Sequence, residues 1–260
     1  MTAIIERLPY GIAVWWRHIL VWRRMMWSSL TMQLMNPVLY LFAFGFGLGA
    51  VIRDMDGLDY LTFVVPGMMA YSMMFTASFE ASISAYARLT MQQTWSAILA
   101  SPVTLFELMI GEIGWAITKG LISTLGVVVV ASVWGGMGSL AGAVLSLVVI
   151  ALAGFTYAAC GLAATAYARN WEFTSYFMTF WVTPNFIFSG VFFSIDRFPD
   201  YVEVLSWLLP TTHLIAVIRP LTAGLPLDPV VTALHLVLLA LLGSVMFWLA
   251  HRKLEARMFD

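Results

Sequence analysis

The chain has few charged residues: lysine, arginine, aspartate and glutamate together make up 10% of its 260 residues. A soluble globular protein carries about 25%. Hydrophobic residues account for 61% of the sequence, and the mean hydropathy is +0.88. This composition excludes an ordinary soluble domain and indicates a protein whose surface faces lipid. Strict alternation of apolar and polar residues is also absent, which excludes a β-barrel.

Three further absences narrow the functional classes. The net charge of −1 lacks the basic surplus that binding to nucleic acid requires. The single cysteine, Cys160, cannot form an internal disulfide, and its apolar surroundings indicate a packing residue. No G-x-x-x-x-G-K-[ST] motif occurs, so the chain has no P-loop for nucleotide phosphates. We find no nucleophile and base within the apolar runs either, and therefore predict no catalytic residue, no metal site and no cofactor on this chain.

What the sequence does contain is a series of apolar runs. A helix crosses the membrane in about 20 predominantly apolar residues. Runs of this length predict an all-α integral membrane protein that forms one domain over residues 1–260. The six predicted transmembrane spans are 30–52, 60–80, 113–133, 140–167, 173–193 and 230–250.

The residues before the first span have the pattern of an amphipathic helix, predicted over 8–26. Arg7, Arg17, His18 and Arg24 lie largely opposite an apolar stripe, and Arg23 and Val14 depart from the pattern. A helix of this kind lies in the plane of the membrane surface. The alternative is an ordinary positively charged flank of the first span. The apolar stripe consists of Leu8, Ile12, Trp15, Ile19 and Trp22.

The distribution of basic residues predicts the orientation in the membrane. If the N-terminus is cytoplasmic, most arginine and lysine residues of the loops fall on the cytoplasmic side, so both termini are predicted to be cytoplasmic. The cytoplasmic set is Arg7, Arg17, Arg23, Arg24, Arg88, Arg169, Arg252, Lys253 and Arg257, and the outer set is Arg53, Arg197 and Arg219.

In this topology residues 88–111 form the longest cytoplasmic excursion between spans. Residues 92–100 favour a short helix, which Pro102 ends because proline cannot continue a helix past its first turn. Trp95, Ile98 and Leu99 would cluster on one side of it. An exposed apolar cluster on a cytoplasmic loop indicates a surface for a partner. The alternative is that the cluster lies on the lipid headgroups.

Four charged residues fall near the cytoplasmic ends of the second and third spans: Glu80, Arg88, Glu112 and Lys119. A charge near the membrane boundary costs little compared with one at the bilayer centre. We predict ion pairing among the four at this boundary. The alternatives are that Glu80 and Glu112 help transmit motion from the excursion to the spans, or that they form a proton relay.

Several stretches resemble the permease subunits of ABC-2 transporters, and in particular the nodulation-factor exporter permeases (NodJ-like). These stretches are YLFAFGFGLG at 40–49, ASFEASISAYARLTMQQTWSAIL at 77–99, GEIGWAITK at 111–119 and FSGVFFSIDRFPDYVEVLSWLLPTTHLIAVIRPLTAG at 188–224. The last stretch carries the family signature at Ser189, Gly190, Pro210, His213 and Arg219.

The resemblance implies that a separate ATPase subunit (NodI-like), which holds the ATP and magnesium, contacts the N-terminal helix and the loop after the second span. It implies that this loop carries the ATPase-coupling helix, and that residues 194–229 include re-entrant helices on the outer side. It further implies an exporter in the bacterial inner membrane that moves an amphipathic substrate (a lipo-oligosaccharide, glycolipid, polysaccharide or hydrophobic drug). The coupling residues would be Gln92, Gln93, Thr94, Trp95, Ser96, Ile98 and Leu99.

We expect two copies to form a homodimer, because symmetric homodimers prevail among oligomers. His213 has no second ligand at metal spacing in the sequence, so we predict that it locks the re-entrant hairpin by hydrogen bonding; the alternative, for His213 and Arg219, is contact with substrate. Some aromatic residues would line a substrate route, for which Phe42, Phe46, Tyr176 and Phe180 are candidates. The alternative function is an ion-coupled secondary transporter, but the charges lie at the span ends and not at the bilayer midplane.

Overall fold

The computed structural model describes residues 10–52 and 54–259, and within them every side chain except those of residues 32 and 33. The predicted positions 8 and 9, Arg7 and Arg53 lie outside these residues. The described chain folds into α-helices joined by short turns and one small β-hairpin. The α-helices are α1 Tyr10–Arg23, α2 Met26–Phe42, α3 Tyr60–Phe79, α4 Thr94–Leu99, α5 Leu105–Val133, α6 Leu140–Tyr167, α7 Trp171–Phe177, α8 Thr183–Phe188, α9 Asp200–Ser206, α10 Pro210–Ala223 and α11 Pro229–Phe259.

Several helices continue as π-helix, in which each hydrogen bond spans five residues. The π-helical segments are Ala43–Leu48 after α2, Glu80–Ser84 and Ala87–Met91 after α3, and Met178–Val182 between α7 and α8. With these extensions, five helices of the described chain are long and apolar enough to cross a membrane: Met26–Leu48, Tyr60–Met91, Leu105–Val133, Leu140–Tyr167 and Pro229–Phe259. The protein is therefore an all-α integral membrane protein, as predicted.

The remaining predicted span, 173–193, corresponds to the continuous helix formed by α7, the π-helical segment and α8 over residues 171–188. It does not reach the apolar character of the other five spans. It ends before Gly190, whose φ of +78° belongs to the left-handed region that glycine tolerates. After it, α9 and α10 meet at an angle of 86° and form a bent pair. A bend of this kind fits a broken span as well as a re-entrant loop, and we call the pair the re-entrant hairpin after the prediction.

The second and third spans are longer than predicted. The helix that begins at Tyr60 runs to Met91, and α5 begins at Leu105, eight residues before the predicted start. The early start has a local cause, because the Thr104 hydroxyl accepts from the Glu107 N–H at 3.3 Å and the Glu107 carboxylate accepts from the Thr104 N–H at 2.8 Å. This reciprocal pair is a capping box, which fixes a helix N-terminus. The segment between the two spans is therefore 92–104, shorter than the predicted 88–111.

Helix α3 lies at the centre of the molecule. In the most apolar stretch of its span, 83% of the sequence is buried inside the protein, against 19% for the span that contains α2 and 17% for α11. Helices α5 and α6 approach it closely through glycines. A Cβ atom at Gly120 would lie 2.3 Å from the Met73 sulfur, and one at Gly154 would lie 2.8 Å from the same atom. Small residues of this kind let transmembrane helices pack at short distance.

Candidate coupling site

Four charged side chains meet inside the protein where α3 and α5 approach the segment 92–104. Arg88 donates to the Glu80 carboxylate at 2.7 Å and to the Glu112 carboxylate at 2.6 Å. Lys119 donates to the second Glu80 oxygen at 2.7 Å. Glu80, Glu112 and Arg88 are only 3%, 1% and 9% exposed. We call Glu80, Arg88, Glu112 and Lys119 the charge cluster.

The backbone that positions the charge cluster is irregular. Glu80 begins the first π-helical segment after α3, and Arg88 lies in the second. Arg88 also donates to the Glu80 backbone carbonyl at 3.2 Å. Single π-helical turns inside α-helices are frequent at functional sites. Here they lie between the deeply buried part of α3 and the segment 92–104.

Glu112 connects the charge cluster to two further elements. The Trp95 indole N–H of α4 donates to its Oε1 atom at 2.9 Å, and the His18 Nε2 of α1 lies 3.1 Å from the same oxygen. The His18 ring is also stacked on Trp115, with ring centroids 5.8 Å apart. One carboxylate of α5 thus contacts side chains from α1, from the end of α3 and from α4.

The charge cluster is electrically balanced, with two acidic and two basic side chains. Burying ions is costly, and the cost is offset only where each ion has close partners of opposite charge. Ion pairing was predicted among these four residues, and the structure shows it. Glu80, Arg88 and Glu112 are in addition buried in the protein, so that they depend on one another and on Lys119.

The prediction of an exposed Trp95–Ile98–Leu99 cluster is wrong for Trp95, which has no exposed surface. Ile98 and Leu99 are half-buried and pack against the hydrophobic core. The indole turns inward because Glu112 accepts its N–H. The exposed face of the segment is more polar than predicted; Thr94 is half-buried, and the exposed residues are Gln92, Gln93, Ser96, Ala97, Ala100, Ser101, Pro102 and Thr104.

Helix α1 packs on α5 through two close approaches. A Cβ atom at Gly11 would lie 2.9 Å from the Glu107 carbonyl oxygen, and one at Gly111 would lie 2.6 Å from the Val14 Cβ. His18 was placed on the outward side with the arginines, and this is wrong because its ring is buried against Glu112. The predicted interface arginines do lie on accessible surface: Arg23 and Arg24 are exposed and Arg17 is half-buried.

The family-signature residues come together at the re-entrant hairpin. Pro210 occupies the first turn of α10, where its missing N–H is tolerated. Arg219 donates to the backbone carbonyls of Gly190 and Phe63, and its guanidinium lies 3.7 Å above the centre of the Phe63 ring. Ser189 is fully buried, and its hydroxyl has no hydrogen-bond partner within the described chain. Arg219 therefore holds α10 against α3 and the turn after α8.

His213 has a histidine partner that the sequence did not reveal. Its Nδ1 atom lies 2.9 Å from Nδ1 of His235 in α11, and both rings are buried. Trp207 is stacked on His235, with ring centroids 5.8 Å apart and planes within 10°. The interpretation of His213 as a lone histidine is corrected: the pair joins the re-entrant hairpin to the last span. Twenty-two residues separate the two positions, so spacing alone gave no signal.

His213→Ala is expected to lower the free energy of unfolding by about 1–3 kcal/mol, because it leaves His235 buried without its partner. His213→Asn should retain most of the stability, since the amide group lies close to the position of Nδ1. Thermal unfolding of purified protein in detergent measures both. His251→Ala, at the opposite end of α11, is the matched control, and its ring is partly exposed. Equal stability of wild type and His213→Ala would show that the pair does not hold the hairpin.

The four aromatic residues predicted to line a substrate route lie in two places. Tyr176 and Phe180 line an apolar groove of about 410 Å³ between α6, α7 and α11. Phe42 and Phe46 lie on the exposed side of the first span, where Phe46 contacts Trp134 at 5.1 Å between ring centroids. The structure does not bring the two pairs together.

A family model described as ABC-2 type transporter matches residues 11–222. The chain belongs to the ABC-2 transporter family. It is the membrane permease of an ABC exporter, and this membership replaces the alternative of an ion-coupled secondary transporter.

Curated relatives match almost the whole permease. Nodulation protein J of Sinorhizobium fredii is 34% identical over 260 residues, which cover 100% of the permease and 98% of that protein. Nodulation protein J of Rhizobium meliloti is 35% identical over 247 residues, with 95% and 93% covered. Inner membrane transport permease YadH of Escherichia coli is 26% identical over 221 residues, with 85% of each chain covered.

Proposed function

We propose that the permease works as a homodimer with two copies of a separate ABC ATPase, and that the ATPase moves the spans by pushing on the exposed face of segment 92–104. The observation that carries this proposal is the set of bonds at Glu112. This single buried carboxylate accepts hydrogen bonds from Trp95 of α4, from Arg88 at the end of α3 and from His18 of α1. Any displacement of α4 therefore acts directly on the spans.

The mechanism requires a ligand that binds two states of the assembly with different affinity. ATP with magnesium on the partner would supply it, because this chain carries no P-loop. When the ATPases close, α4 would move and the charge cluster would carry the displacement to α3 and α5 as one rigid unit. Charged groups that are buried and paired resist separation, so they transmit movement instead of absorbing it.

The remaining features of the proposal are the location and the substrate. The excess of basic residues in one set of loops supports cytoplasmic termini, and the name of the Escherichia coli relative supports an inner membrane. The substrate would be amphipathic, a lipo-oligosaccharide, glycolipid, polysaccharide or hydrophobic drug, and would move outward from the cytoplasmic side. The apolar groove beside Tyr176 and Phe180 supports a substrate with a hydrocarbon part.

Ala97→Arg tests the proposed docking face. Ala97 is exposed on α4, so the change leaves the permease folded but places a long charged side chain on the contact surface. We expect co-purification with an ABC ATPase encoded beside the permease gene to fall at least tenfold. Ala50→Arg is the matched control, because Ala50 is exposed on the turn after the first span. Undiminished recovery of the ATPase with Ala97→Arg would show that segment 92–104 is not the docking face.

A further inference from the structure

The apolar groove near Tyr176 and Phe180 follows one face of each of three helices. Its floor is α6, where small and buried residues such as Ala163 and Ala164 face it. One wall is the aromatic side of α7 and of the π-helical segment after it, and the other is α11 through Leu249. The lining contains almost no polar atoms, so the groove suits a hydrocarbon chain.

Basic side chains lie at one end of the apolar groove. Tyr167, the last residue of α6, lines this end, and the Lys253 ammonium lies 5.7 Å from the centre of its ring. On α11, Lys253 is one turn beyond Leu249, and Arg252 precedes it. Neither cation forms an ion pair with a carboxylate of the described chain. Both therefore remain available to an anion from outside the protein.

The other charged groups at this end leave the balance positive. Arg257 is engaged, because it donates to two backbone carbonyls at the end of α6, at 3.0 and 2.9 Å. Arg169 lies in the turn between α6 and α7. The acids are Glu172, in the first turn of α7, and Glu255, which lies 3.9 Å from His251. Three available cations thus outnumber these two acids.

The apolar groove faces lipid and ends at the level of the headgroups. Phe180 on its wall is 75% exposed, and surface of this kind on a membrane protein contacts acyl chains. Tyrosine and tryptophan concentrate where the membrane meets water. Tyr167 contacts Lys253, and the Arg252 guanidinium lies 4.9 Å from the centre of the Trp248 ring. A chain whose headgroup lies at this level would enter the groove directly.

We infer that the apolar groove and its basic end hold one anionic phospholipid of the bilayer. An acyl chain lies along the α6 floor, which runs for about 10 Å between Tyr167 and Cys160. The headgroup phosphate lies against Arg252 and Lys253. Basic residues between transmembrane helices attract anionic headgroups in this way, whereas phosphatidylcholine carries its own cation and has no net charge. This lipid is a bound component of the membrane and not the cargo, so the inference goes beyond the proposed function.

Photolabelling of the permease alone tests this inference. The protein is placed in phosphatidylcholine nanodiscs, and the probe is phosphatidylglycerol with a diazirine at the end of one acyl chain. We expect saturable labelling of peptides that contain residues 160–167, 173–181 or 246–249. Unlabelled phosphatidylglycerol should compete, and additional phosphatidylcholine should not. A phosphatidylcholine probe with the same acyl chains should label these peptides at least tenfold less.

Variants of the basic end give the second measurement. Arg252→Gln and Lys253→Gln should each weaken binding of the phosphatidylglycerol probe about fivefold, which corresponds to about 1 kcal/mol for each basic residue near the headgroups. Both side chains are exposed, so the variants should fold as wild type does. Lys253→Arg keeps the charge and should retain most of the binding. Arg197→Gln is the matched control, because Arg197 is exposed but lies in the loop between α8 and α9.

Three results would overturn the inference. Equal labelling by the two probes would mean that the groove takes any acyl chain without selecting the headgroup. Unchanged labelling in the double variant Arg252→Gln with Lys253→Gln would remove the basic end from the site. A disulfide between two copies of Phe180→Cys would show that a second copy of the chain covers the groove. The nanodiscs contain no ATPase and carry the same lipids in both leaflets, so the outcome is independent of the docking face and of the orientation.

Discussion

Arg88→Met is expected to lower the free energy of unfolding by about 3–5 kcal/mol and to abolish stimulation of the ATPase by the permease. The change leaves two buried carboxylates without the cation that they share. Lys119 still neutralises Glu80, but Glu112 keeps only the neutral indole of Trp95 and the ring of His18 as partners. Removing one member of a buried ion pair costs more than the pair itself contributes, because an uncompensated charge remains.

The measurement is unfolding by sodium dodecyl sulfate in mixed micelles, together with ATPase activity in reconstituted vesicles. The double variant Arg88→Met with Glu112→Gln is compared with Arg88→Met, because it removes one charge of each sign. It should unfold closer to wild type than Arg88→Met does, which is the non-additivity expected of residues in contact. The single variant Glu112→Gln completes the comparison. If the double variant lost as much stability as the two single variants together, Arg88 and Glu112 would act independently.

Trp95→Ala is expected to destabilise the permease by about 3–5 kcal/mol, the usual cost of removing a fully buried large side chain. Trp95 has no exposed surface, and its indole also supplies a hydrogen bond to Glu112. Trp95→Phe keeps the ring but removes the N–H donor, so it should lose only about 1–3 kcal/mol. The same unfolding assay separates the two variants.

The two variants should also differ in ATPase recovery. Trp95→Phe should co-purify with the ATPase nearly as well as wild type, because α4 stays anchored and its exposed face is unchanged. Trp95→Ala should recover less, since α4 loses the side chain that holds it on α5. Wild-type stability of Trp95→Ala combined with loss of the ATPase would mean that the indole faces the partner and not the core.

The part of the fold that could be predicted from the sequence follows mostly from the length of its apolar runs. The five strongly apolar spans follow from runs of about 20 residues, because no other arrangement satisfies their backbone polar groups in lipid. The span at 171–188 shows the limit of this reasoning. It was predicted from its apolar residues, but it carries Asn185 and Pro184 among its aromatic residues, so its apolar character is weaker.

The inward direction of Trp95 and His18 could not be predicted from local pattern. Helical spacing shows which residues share a face, but it does not show whether the face is covered by protein or by water. Both side chains turn inward because of Glu112, which is 17 residues from Trp95 and 94 from His18 in sequence. The π-helical turns near Glu80 could not be predicted from the sequence either, because the periodicity of 3.6 residues per turn assumes a regular α-helix.

The distribution of the four charges between two helices has a consequence for biogenesis. Glu80 and Arg88 belong to one span and Glu112 and Lys119 to another, so each span contributes one acid and one base to the charge cluster. The cluster residues therefore add no net charge to either nascent segment, which reduces the energetic cost of its partitioning into lipid. Arg88 reaches Glu112, and Lys119 reaches Glu80, only after the two segments have come together. These two interhelical ion pairs therefore form only once the helices are assembled.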